Sequence, residues 1–153
     1  MEYRHIVSHL AECYDIIPKN MDSFKAQLHC LRKAGIPNGF SINVGRGKRA
    51  DFSDKDLEEM HVGYSLMLHG FTPNRILDVI QCIRNTPYWS PLRKWNKHLL
   101  IVTRSDGRQR VAIKSYDTSF EYLSKMSNWN GAPTCSSVLN LRDVAESMRY
   151  FAA

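Results

Sequence analysis

His5, His9 and Cys13 recur every four residues, so a helix through them lines all of them up on one side. Imidazole and thiolate groups at that spacing can share a metal ion. The plainer alternative is a surface histidine pair beside a half-buried thiol. No fourth ligand is suggested, so the expectation is no metal. A second group is cationic: Lys25, His29, Arg32 and Lys33, then Arg46, Lys48 and Arg49 around Gly45 and Gly47. Such side chains neutralise phosphates, and glycines let a backbone approach one closely. Gly45-Arg46-Gly47 lacks the further glycines and the Lys-Ser/Thr of a phosphate-cradling loop, so no nucleotide site is expected. His61 and His69 lie two helical turns apart without an acid or nucleophile beside them, and read as structural. No Ser/His/Asp or Cys/His set has catalytic spacing. The expectation is a non-enzyme with no catalytic residue and no cofactor.

The elements that must position the cations follow from periodicity and caps. Residues 3–14 read as a helix with Tyr3, Ile6, Val7, Leu10 and Tyr14 on one side. Ile17 and Pro18 break it. In residues 22–34, Phe24, Leu28 and Leu31 form an inward stripe, with Lys25, His29, Arg32 and Lys33 on the other side. Gly35 suits a C-cap, and Pro37 stops continuation. Phe40 to Val44 alternates like a strand, Gly45 to Gly47 turns, and Lys48 to Phe52 returns as a second strand. Ser53 caps a helix over 54–69 with the stripe Leu57, Met60, Tyr64 and Leu68, and with Glu58 and Glu59 on a solvated outer face. Thr72-Pro73 opens a helix over 73–84 that buries Ile76, Val79 or Ile80, and Ile83. The expected core adds Phe71.

This order resembles the MerR-type winged helix-turn-helix over residues 1–84. The residues that carry the resemblance are LRKAGIP, GRGKRADFSDKDLEEM and LHGFTPNRILDVI, which look like the recognition-helix exit, the wing's return with the next helix start, and the Gly-Phe-Ser/Thr segment. The chain has Leu28-His29-Cys30 where the family has an Arg-Tyr-Tyr-like triplet, and it shows no long C-terminal coiled coil. The resemblance implies sequence-specific binding of double-stranded DNA by a bacterial or phage transcription regulator, acting as a homodimer. Helix 22–34 would enter the major groove. Lys25 and His29 would face bases, Arg32 and Lys33 would reach phosphate, and Arg46, Lys48 and Arg49 would grip from the wing. The alternatives are an architectural or recombination-directing factor of phage or mobile-element type, and a basic protein–protein adaptor.

Composition fits this frame. Hydrophobic residues make up 43% of the chain and charged residues 24%, as in ordinary globular proteins, and the net charge is +6. The sign is segregated: basic from Lys19 to Arg49 with Asp22 the lone acid, acidic from Asp51 to Asp78, basic again from Arg84 to Lys114. That pattern favours distinct binding faces and an anionic partner. No apolar run nears the ~20 residues of a membrane span, and no apolar signal core follows Glu2 and Arg4. Cys13, Cys30, Cys82 and Cys135 are scattered, as in a reduced cytoplasmic protein.

After a break at Thr86 to Pro91, residues 99–103 and 108–114 read as a β-hairpin with an Asp106-Gly107 turn. The unbroken apolar run Leu99 to Val102 implies a strand covered on both faces. A short helix over 118–126, a loop over 129–133 and a last helix over 140–151 follow. The expected fold is α+β and mainly helical, a winged helix-turn-helix domain (1–86) followed by a hairpin and two helices (87–153) as a dimerisation or sensing module.

Overall fold

A computed structural model of the chain describes residues 1–38, 51–85, 97–104, 109–115, 118–119, 121 and 133–140. The fold is mainly helical, with a small antiparallel sheet. Helix α1 (Tyr3–Cys13) leads through a 3-10 turn (Pro18–Asn20) into α2 (Met21–Lys33). Helices α3 (Asp54–Leu68) and α4 (Pro73–Arg84) follow, then strands β1 (Lys97–Arg104), β2 (Gln109–Ser115) and β3 (Pro133–Asn140). All four expected helices up to residue 84 are present within a residue or so of their expected bounds. The strands expected over 40–52 lie outside the described residues except at their end, as does the last helix beyond residue 140.

The helix ends show why the chain punctuates as it does. After α1, the Asp15 N–H donates to the Glu12 carbonyl at 3.2 Å and the Ile16 N–H to the Ala11 carbonyl at 2.8 Å. After α2, Gly35 donates to Arg32 and Ile36 to Leu31, both at 3.0 Å. After α3, Gly70 donates to Met67 at 2.9 Å and Phe71 to Leu66 at 3.1 Å. Each is the paired-bond Schellman ending, which satisfies carbonyls the helix leaves open. It requires a left-handed residue at its centre, and Asp15, Gly35 and Gly70 have φ of 49°, 91° and 83°. A Cβ on Gly35 or Gly70 would meet nothing within 4 Å. Gly35→Ala and Gly70→Ala should therefore each cost about 1–2 kcal/mol from backbone strain alone. Thermal melts check this, and unchanged midpoints would contradict it.

At the start of α3, Ser53 and Asp56 form a capping box. The Ser53 N–H donates to the Asp56 carboxylate at 2.8 Å and the Asp56 N–H to Ser53 Oγ at 3.3 Å. The chain divides into two compact units whose boundary falls between Asp78 and Val79, inside α4. In the first unit α2 packs against α1 and α3. Its core holds Ile6, Leu10, Phe24, Leu28, Leu31, Leu57 and Met60, each at most 1% exposed. Tyr64 joins them, with its ring edge-on to Phe24 at 5.0 Å and to Tyr14 at 4.7 Å.

Helix α3 differs from its expected amphipathic form. Every residue from Leu57 to Leu66 is buried, Glu58 (8% exposed) and Glu59 (1%) included, so this stretch has no solvated outer face. Glu59 accepts a hydrogen bond from the Asn38 N–H at 3.1 Å. Leu68, expected in the core, is 57% exposed, in the last turn of α3 beyond the buried stretch that ends at Leu66. Phe71 is half-buried.

In the second unit the sheet order is β2-β1-β3, with both pairings antiparallel. Leu99, Leu100, Ile101 and Val102 of the central strand are all buried, as their unbroken apolar run implied. The expected hairpin is β1–β2. Strand β3 departs from the sequence expectation, which puts Pro133 in a loop and starts a helix at Asn140. PTCSSVLN shows no apolar alternation, and it is an edge strand held by its ladder to β1. A register shift occurs where it passes Thr103 and Arg104. Among the described residues, no helix is long and apolar enough to cross a membrane.

Candidate nucleic-acid interface

Helix α2 separates its two faces as its spacing requires. Phe24, Leu28 and Leu31 are buried, while Lys25, His29 and Lys33 are exposed. Lys25 and His29, one turn apart, line a groove of about 640 Å³ with Ala26 and with Tyr3, Arg4, Val7 and Ser8 of α1. The groove is therefore walled by two helices, carries cations on both, and is lined as well by the apolar Val7 and Ala26. Arg4 also pairs with Glu2 at 2.8 Å on the exposed surface, a contact worth little in water. Asp22 is exposed in the first turn of α2.

Arg32 behaves differently from its neighbours. It is half-buried, and its guanidinium stands 4.3 Å from the centre of the Tyr3 ring. That cation–π contact fixes it at the α1–α2 junction. Burial raises the Tyr3 hydroxyl above its ordinary pKa, opposed by the nearby Arg32 charge and hydrogen bond. Tyr3 also contacts Phe52, ring centres 5.7 Å apart. The Phe52 N–H donates to the Met1 carbonyl at 2.8 Å, the Met1 amino group to the Phe52 carbonyl at 3.0 Å, and the same amino group pairs with Asp51. Asn38 is thus bonded to α3, and Asp51 to the amino group just ahead of α1. Arg46, Lys48 and Arg49 fall between these points, outside the described residues.

The structure gathers a second set of reactive side chains. His9 and Cys13 of α1 meet His61 of α3; His9 and His61 are 6% and 1% exposed. His9 Nε2 lies 3.5 Å from Cys13 Sγ, and the two imidazoles stand edge-to-face with centres 5.4 Å apart. His5, expected in line with His9 and Cys13, is exposed and apart from this cluster. The sequence spacing of His61 points to a structural role. It lies far along the chain, and only the packing of α1 on α3 brings it here. The Tyr14 hydroxyl bonds Ser65 Oγ and lies 3.3 Å from the His61 carbonyl.

Burial holds His9 below the ordinary imidazole range, opposed by the charge of Glu12. Burial, aided by the neighbouring His9, brings His61 down to about 3. Unfolded, His61 takes up a proton below about pH 6.5; folded, it does so only near pH 3. Between those values the unfolded state binds more protons, so stability is full above about pH 6.5 and falls as pH drops. The loss should approach about 1.4 kcal/mol per pH unit. Urea unfolding in chelating buffer at several pH values checks this: His61→Gln should have the shallower acid slope, and equal slopes would contradict it.

No family model and no curated protein matches the chain.

Proposed function

We propose that the chain is a sequence-specific double-stranded DNA-binding protein of MerR-like winged helix-turn-helix type, acting as a homodimeric transcriptional regulator. The observation that carries this reading is the α1–α2 groove. A short turn joins two helices, the second presents Lys25 and His29 outward, and the first adds Arg4 and Ser8 beside them. Helix-turn-helix proteins lay the second helix in the major groove while the first crosses the backbone. The anchoring of Asn38 on α3 and of Asp51 on the Met1 amino group ahead of α1 supports it too, since both ends of the basic segment are tied to described elements of the first unit. Lys33, at the far end of α2, would neutralise phosphate. Arg32 would serve mainly to brace Tyr3.

Selection from a random duplex library tests the division of roles. Wild type should enrich a motif. Lys25→Ala and His29→Ala should change base preference at particular positions, by about 1–3 kcal/mol for a good bidentate contact. Lys33→Ala, Arg46→Ala and Lys48→Ala should weaken binding while leaving the motif intact. No enriched motif would replace the regulator with an architectural factor that grips by charge. A motif altered only by the Arg46 or Lys48 variants would mean that α2 is not the reading element.

A further inference from the structure

The cluster of His9, Cys13 and His61 lies apart from the proposed DNA-facing groove, and its chemistry is unlike that of a packed core. We propose that it is a binding site for a thiolate-accepting divalent cation, zinc foremost, which clamps α1 to α3 with water as the fourth ligand. The donor set is the first argument. Two imidazoles and one thiolate are borderline-to-soft ligands that suit zinc and exclude the oxygen-seeking magnesium and calcium.

Geometry is the second argument. Zinc bonds nitrogen at about 2.0–2.1 Å and thiolate at about 2.3 Å, so tetrahedral coordination puts those two donors about 3.6 Å apart. His9 Nε2 and Cys13 Sγ are already 3.5 Å apart. Donor atoms of all three residues lie within 4.8 Å of one another, so closing the remaining edges takes roughly an ångström of side-chain adjustment. Position is the third argument. His9 and Cys13 are one turn apart on a helix that holds them rigidly, and His61 comes from the middle of the enclosed helix α3. Cys13 is half-buried, which gives the ion a way in. On binding, the Cys13 thiol releases its proton to solvent and its sulfur becomes the charged ligand, while the imidazoles coordinate as neutral groups. None of the three ligands lines the α1–α2 groove.

The test uses the full reduced chain and cobalt(II) or zinc(II) alone. Cobalt should bind one ion per chain with a thiolate-to-metal charge-transfer band and the strong visible absorption of a tetrahedral site. Zinc should displace it and raise the melting temperature. A protein carrying Cys30→Ser, Cys82→Ser and Cys135→Ser together should keep the band, because Cys13 is then its sole thiol. Cys13→Ser should abolish the band and weaken zinc roughly 100-fold or more, since even outer-shell partners are worth 10–100-fold. Being half-buried, Cys13 tolerates serine with the helices intact, which circular dichroism verifies. His61→Gln should shift the cobalt spectrum. Failure of the wild type to bind one ion, or a band that survives Cys13→Ser, would overturn the proposal.

Discussion

Leu31→Ala should lower the unfolding free energy by about 2–5 kcal/mol, the range for emptying a closed core site. Leu31 is 0% exposed at the α2–α3 contact. It lies over Gly63 of α3, where an added Cβ would sit 3.4 Å and 3.5 Å from its two methyl carbons. Removing those methyls leaves a void that Gly63 has no side chain to fill. Ile36 borders the same spot, 3.6 Å from that position, and is itself fixed by the turn that ends α2. The site therefore has little freedom to collapse, which places the cost toward the upper part of the range. Leu57→Ala, also at 0% exposure, should behave similarly. Leu68→Ala, at 57% exposure, should stay within about 0.5 kcal/mol. Urea midpoints for the three variants check the assignment. Equal midpoints for Leu31→Ala and Leu68→Ala would contradict it.

That contrast also marks how far the sequence could be read. Helix ends were legible because each rests on a local device: Ser53 with Asp56, Thr72 before Pro73, and glycines placed where φ must be positive. Helix stripes were legible where one face meets a core, as on α2. Helix α3 escaped the same logic because its middle, Leu57 to Leu66, is buried on every side. Its buried Glu58 and Glu59 look like surface residues to any pattern that assigns polarity to solvent. Leu68 keeps the phase of the stripe yet lies past the buried stretch that ends at Leu66, and phase alone carries no information about where burial stops. Strand β3 was missed because an edge strand held by backbone bonds needs no apolar alternation. For the candidate sites, outward Lys25, His29 and Lys33 were read from the helical period, whereas the stacking of Arg32 on Tyr3 was not. The His9–Cys13 half of the metal-type cluster was visible as a four-residue spacing. Its third member was not, since pairing α1 with α3 is a tertiary event that no local spacing encodes.

The second large effect concerns DNA. Each phosphate neutralised releases condensed counterion, so the logarithm of affinity should fall linearly with the logarithm of salt, with a slope of about −0.9 per contact. If Lys33, Arg46, Lys48, Arg49 and Arg4 supply five such contacts, affinity should drop about 500-fold between 50 and 200 mM salt. Arg46→Ala or Lys48→Ala should each flatten that slope by about one and leave helix content unchanged. An acidic protein partner in place of DNA would leave duplex affinity negligible at every salt concentration. The most direct measurement is fluorescence anisotropy of a labelled duplex titrated with the full chain at a series of salt concentrations. The account predicts tight binding in dilute buffer, a steep linear loss with salt, and shallower lines for the charge variants. No binding in dilute buffer, or binding that salt does not weaken, would contradict it.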